Sequence, residues 1–180
     1  MNDSTPVSME ELFSAHAEVS ALAEANAFRT VPTNYYKAQG TKHDAKRNGV
    51  GRLSINAKAD LFREDKRIGT ISVFLSPEVG RTKAGRLDNE FRLYSQLARS
   101  LYPEIKDDAS LSQISAGDLM TRFEQYPVGM FVTETFQTDI DPITGKKTYF
   151  DAKTDDEAKG YRQQGLKPAN YVKSIGKYKG

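Results

Sequence analysis

The chain has 180 residues, 26 Lys and Arg against 24 Asp and Glu, 38% hydrophobic residues, and neither Cys nor Trp. Zero Cys excludes disulfides, thiolate nucleophiles and Cys-based zinc sites, and the absence of any run of ~20 apolar residues excludes a membrane-spanning helix. The near-zero net charge of +2 hides a segregated pattern: residues 31–100 carry 14 bases and 7 acids, 101–157 carry 5 and 12, and 158–180 carry 6 bases and no acid.

The opening MNDSTPVSMEEL lacks the basic start and apolar stretch of a secretory signal, which reads as cytoplasmic. Ser8 with Glu11 three residues on is a capping box, and Leu12, Phe13, Val19, Leu22 and Ala23 recur at helical spacing. Residues 1–30 therefore form an N-terminal amphipathic helix or extension. It packs on the domain, pairs with a second copy to give a homo-oligomer, or contacts another protein. Residues 31–180 form the domain proper.

From Val31 the texture is that of strands. A first strand covers Tyr35–Thr41, and Asn48-Gly49-Val50-Gly51 marks a turn. Leu53, Ile55, Ala57, Ala59 and Leu61 then alternate with Arg52, Ser54, Asn56, Lys58, Asp60 and Phe62, and after the charged turn at Glu64-Asp65-Lys66, Ile71, Val73 and Leu75 alternate with Thr70, Ser72 and Phe74. Three antiparallel strands in a meander follow from this.

Residues 76–88 are a loop with three bases, Arg81, Lys83 and Arg86, and Asp88 caps a helix with Phe91, Tyr94, Leu97, Ala98 and Leu101 on one face, stopped at Pro103. A short helix follows Ser115 and ends at Pro127. Val128 to about Asp139 is a fourth strand, Asp141-Pro142-Ile143-Thr144-Gly145-Lys146 turns into Lys147–Phe150, and a polar excursion over 151–169 leads to a last short strand, Asn170–Ile175. The order β-β-β-α-β-β predicts a mainly β fold with accessory helices: a five-stranded, OB-fold-like Greek-key barrel with a helix between strands three and four.

The residues offer little to catalysis. Gly80–Arg86 approaches a P-loop spacing, but Arg86 stands where Lys belongs and Leu87 where Ser or Thr would hold magnesium. Asp141 suits a turn that bonds its own backbone, and Asp155-Asp156-Glu157 suits a solvated loop or the first turn of a short helix. His16 and His43 fall in unrelated settings and read as surface residues. No cofactor and no metal are implied, and the chain does not read as an enzyme.

Binding has better material. Single-stranded nucleic acid needs cations along the phosphates and rings on which bases stack. Arg52, Lys58 and Phe62 on the second strand and Phe74 on the third share the face opposite the core. Tyr35, Tyr36 and Lys37 extend it, and Arg81, Lys83, Arg86 and the tail with Tyr171, Lys173, Lys177, Tyr178 and Lys179 add cations and rings. The structural alternative is that Phe62 and Phe74 are covered by the N-terminal helix, and that Tyr149 and Phe150 close a second small core. A virion-assembly or protein-interaction module with self-associating surfaces is the other functional reading.

The segments VPTNYYKAQ, RLSINAKADLF, RIGTISVFLSPE, TKAGRLDNEFRLYSQLARSLYP, VGMFVTETF, DPITGKKTY and NYVKSIGKY, spanning about residues 31–178, resemble a group of bacteriophage OB-fold single-stranded DNA-binding proteins. The resemblance implies sequence-tolerant coating of single-stranded DNA in phage replication or recombination, in the host cytoplasm, without catalysis and alongside replication or recombination proteins. Cellular proteins of this activity usually end in acidic residues, whereas this chain ends in IGKYKG.

Overall fold

The structure, a computed structural model, describes residues 30–180. The expected N-terminal helix and its contacts lie outside them. Six strands and three α-helices follow in chain order: β1 (Asn34–Arg47), β2 (Leu53–Arg63), β3 (Lys66–Leu75), α1 (Asn89–Leu101), a 3-10 turn (Ala109–Gln113), α2 (Ala116–Gln125), β4 (Val128–Gln137), β5 (Tyr149–Ala152), α3 (Asp155–Gln163) and β6 (Lys167–Gly176). Among the described residues no helix is long and apolar enough to cross a membrane.

The first three strands are the expected meander. Ile55, Ala57, Ala59 and Leu61 of β2 and Ile71, Val73 and Leu75 of β3 are buried, so strict alternation sent every second side chain inward as the sequence predicts. Glu64 and Asp65 make the β2–β3 turn with φ of 50° and 59°. Two successive left-handed residues match the right-handed twist of a hairpin. β1 is longer than expected. Its first half pairs with β4 from Asn34↔Val132 to Ala38↔Val128, and beyond an irregularity at Gly40/Lys42 it pairs with β2 alone. Residues 41–50 are exposed throughout, while their β2 partners Ile55 and Ala57 are buried and pair with β3, so the second half of β1 is an exposed edge of the sheet.

The sheet is antiparallel with six strands, not the five expected, in the order β3-β2-β1-β4-β5, and β6 lies on the other edge of β4. β4 is long enough for its first edge to take two partners. β1 occupies Val128 to Val132 and β5 occupies Glu134 to Gln137, while β6 pairs along the opposite edge from Gly129 to Gln137. The expected polar excursion over 151–169 contains α3, capped by Thr154 with its hydroxyl accepting from the Glu157 amide.

The sheet does not close into a barrel. β3 and β6 lie side by side with no ladder between them. The free edge of β6 is satisfied from elsewhere. Gln96 Oε1 accepts from the Ile175 amide at 2.9 Å, and Arg92, one turn earlier on α1, donates to the Lys173 carbonyl at 2.8 Å. At the other end of the strand, Asn170 bonds both the amide and the carbonyl of Val31, each at 2.8 Å, and the Val31 side chain lies against Gly69 of β3. Polar side chains and the start of the described chain thus take hydrogen bonds along β6 where a β3–β6 ladder is absent.

α1 carries the expected apolar face, with Phe91, Tyr94, Leu97, Ala98 and Leu101 buried, and Asp88 accepts from the Phe91 amide as its cap. α2 packs on β1 where Gly40 leaves room: a Cβ there would stand 2.8 Å from Phe123 Cδ1. Burying one such Phe contributes about 1.5–3 kcal/mol, and the contact fixes where α2 crosses the sheet. A second small core joins Phe136, Ala152 and Ala158 with Tyr161 and Leu166. Phe150 stacks on Tyr161 at 5.5 Å, while Tyr149 is exposed and points elsewhere.

Candidate nucleic-acid interface

The outer face of β2 and β3 is the face expected to bind, and the ladder fixes what stands together on it. Asn56 lies opposite Phe74, Lys58 opposite Ser72, and Asp60 opposite Thr70. Across β1, Lys42 lies opposite Lys58, Asp44 opposite Asn56 and Lys46 opposite Ser54. Neither Lys42, Lys46 nor Lys58 forms an ion pair among the described residues. Asp60 is already engaged by Arg67 at 2.9 Å. Oδ1 of Asn56 is buried without a hydrogen-bond partner.

Phe74 is 53% exposed and Tyr171 of β6 is 45% exposed. Both line a cleft of about 190 Å³ at the β3–β6 seam, together with Ser72, Asn89, Leu93 and Asn170. The floor is apolar and closed by Val73, Leu93 and Val172, all buried. Two half-exposed rings border one slot, and Ser72 of that slot faces Lys58 across the ladder. A flat, anionic chain would find both stacking surfaces and charge in this arrangement.

Phe62 and Phe74 share the outer face, as the sequence predicts, but they are not neighbours on it. Both rings are on the outer face, but Phe62 lies opposite Lys37 while Phe74 lies opposite Asn56. Six residues of β2 separate the two positions, roughly 20 Å at strand rise. Phe62 belongs to a different group, in which the Lys37 ammonium lies 5.9 Å from its ring and 5.7 Å from that of Tyr178. Lys37 is also paired with Asp65 at 2.7 Å. That hydrogen bond holds the ammonium above its ordinary pKa and the Asp65 carboxyl below the usual carboxylate range.

Two expected contact residues are structural. Tyr36 is 1% exposed, with its hydroxyl donating to the Pro32 carbonyl at 2.5 Å, so its ring is part of the core and not of the outer face. Burial pushes its hydroxyl pKa up. Arg52 is held by Asp88 through its two terminal guanidinium nitrogens and donates to the Glu78 carbonyl at 2.8 Å. Its charge is spent on joining the β2 start to the α1 cap. Burial alone would raise the Asp88 pKa, but the Arg52 guanidinium and the Phe91 amide hold it below the ordinary value.

Tyr35 is on the outer face, its ring laid across Gly129 so closely that a Cβ there would stand 1.6 Å from the hydroxyl oxygen, which donates to the Lys177 carbonyl at 3.0 Å. Arg81 donates to the Gly85 carbonyl at 2.9 Å within the basic loop, and Lys83 and Arg86 are exposed there. Lys173 is on β6 beside Tyr171 but is paired with Asp151 at 3.1 Å.

Sequence reasoning missed that Tyr171 and Phe74 line one cleft and that Lys42 stands opposite Lys58. The signal for Lys42 was available in the β1–β2 hairpin register, but Tyr171 comes to the same cleft as Phe74 only because β6 returns beside β3. No protein-family model, no curated protein and no solved structure matches this chain.

Proposed function

We propose that this chain is a non-enzymatic, sequence-tolerant single-stranded DNA-binding protein, and that its sheet is an OB-type barrel left open at the β3–β6 seam. One observation carries the reading: Phe74 and Tyr171, both half-exposed, border one cleft whose polar wall faces the unpaired Lys58 and, beyond it, Lys42. Bases stack on such rings with little regard to sequence because every base has a π-face, and lysines without acid partners neutralise phosphates. Lys42 and Lys46, on the exposed edge half of β1, extend the cationic face beyond Lys58. The barrel reading rests on the run of paired strands β3-β2-β1-β4 with β6 on the other edge of β4, on the helices between β3 and β4, and on β3 and β6 lying together. Phage replication or recombination is the setting that the sequence resemblance supplies.

Fluorescence anisotropy of a labelled thymidine oligomer, against duplex of equal length at low and moderate salt, tests the proposal. Binding to the single strand alone, weakening steeply with salt, is the expected result. Absence of binding at low salt overturns it and leaves the basic face as an assembly surface. A uridine oligomer as competitor separates DNA from RNA preference.

A further inference from the structure

A cleft larger than the one at the seam lies elsewhere on the domain. It measures about 750 Å³ and lies between the 77–87 loop and the helical segment, lined by Val79, Leu87, Phe91, Tyr94, Leu111 and Ile114. Val79 at its mouth is 60% exposed, and Leu87 is partly exposed as well. An apolar trough of this size with exposed aliphatic rims is the signature of a surface that something covers. Both helix caps that frame it are made, Asp88 accepting from the Phe91 amide and Ser115 from the Asp118 amide, so the trough is a formed feature.

Its surroundings carry a charge as well as a shape. Arg81 lines the cleft, and Lys83 and Arg86 follow in the same exposed loop; none of the three forms an ion pair among the described residues. The occupant that fits is apolar on one side and acidic on the other. Residues 1–29 have that composition, with Leu12, Phe13, Val19 and Leu22 at helical spacing and five acids, Asp3, Glu10, Glu11, Glu18 and Glu24, against the single base Arg29.

The reach is sufficient. Val31 is fixed against Gly69 on β3, and ten residues further along the chain is Val79 at the cleft mouth, at most ~33 Å away at strand rise. Leu12 is nineteen residues from Val31, ~28 Å at helical rise and longer if any of the connection is extended.

We propose that residues 1–29 of the same chain dock in this cleft, the Leu12–Phe13–Val19–Leu22 stripe against Val79, Leu87 and Leu111 and the glutamates against the Arg81–Arg86 loop. The loop then serves the chain's own N-terminal segment, and the seam with Phe74 and Tyr171 is left open. The inference is independent of what the seam binds.

The chain's lack of cysteine makes the test direct. Full-length protein carrying Phe13→Cys and Ser112→Cys, the latter an exposed residue of the cleft lining, is oxidised and read by non-reducing gel and intact mass. A monomer that has lost two hydrogens is the expected product. A disulfide-linked dimer overturns the proposal in favour of a second copy's segment, and unlinked monomer overturns docking altogether. In a second measurement, Val79→Asp is expected to speed limited proteolysis within residues 1–29 at least tenfold while the domain stays folded by circular dichroism. An unchanged cleavage rate overturns the proposal even if the cysteine variant folds poorly.

Discussion

Lys42 stands directly across the β1–β2 ladder from Lys58, with no acid paired to either among the described residues. Like charges directly opposite on a sheet are destabilising by a fraction of a kcal/mol, so the folded chain carries this pair at a cost that a polyanion would relieve. Lys58→Ala is expected to weaken binding of a thymidine oligomer and to reduce the slope of log K against log salt by ~0.7, one phosphate on a single strand, and the Lys42→Ala/Lys58→Ala double variant by ~1.4. Thermal stability of both variants is expected to hold or rise. A lowered melting temperature with an unchanged salt slope would assign the lysines to the fold.

The two seam rings are expected to act together. Phe74→Ala and Tyr171→Ala should each cost ~1–3 kcal/mol of binding in anisotropy titrations, with stability changed by no more than ~1 kcal/mol because both rings are already half-exposed. Phe62→Ala, roughly 20 Å along β2, should leave affinity within about twofold. Equal losses at Phe62 and Phe74 would place the bound strand along β2 and not at the seam.

Asp88 both caps α1 and holds Arg52, which is mostly buried. Its folded pKa is depressed, so the stability it contributes is complete above its unfolded value of about 3.9 and is lost as pH falls through the lower folded value. Asp88→Ala is expected to cost about 2–3 kcal/mol in urea unfolding at neutral pH, the cap and the pairing together. Asp88→Asn keeps the cap and removes only the charge; its stability should fall less steeply than wild type below about pH 4. Parallel acid limbs in the two proteins would refute the coupling.

The β2–β3 turn places Glu64 and Asp65 in the left-handed region, where a side chain with a Cβ is disfavoured by roughly 1–2 kcal/mol and Asn is better tolerated. Glu64→Asn leaves the Asp65–Lys37 pair intact and is expected to stabilise by about 0.5–1 kcal/mol, while Glu64→Val destabilises by a similar amount. Differential scanning calorimetry of both variants checks the sign.

Local features of the chain were legible, and long-range ones were not. Alternation in β2 and β3 set their two faces correctly because each residue's direction depends only on its neighbours. The caps at Asp88 and Ser115 were legible for the same reason. The helix at Asp155–Gln163 was one of two readings of the acidic run 155–157, and the signal that would have decided it is Thr154, which caps the helix by accepting from the Glu157 amide. Tyr36 was assignable as well: Tyr35 and Tyr36 must face opposite ways on one strand, and small Ala38 shares Tyr36's side while Lys37 and Gln39 share that of Tyr35. Arg52 was not, since its partner Asp88 is 36 residues away. The Phe74–Tyr171 cleft depended on where the last strand returns, which no local pattern encodes.

The Asn170 carboxamide that grips both main-chain groups of Val31 reaches across 139 positions. A ribosome therefore releases the start of this domain long before its clamp exists. The β1–β2–β3 meander, built from neighbouring segments, can assemble early, whereas the seam must wait until β6 has been synthesised. The order of assembly is thus written into the chain: the sheet grows from its β1–β3 side, and the first described residues are among the last to be secured.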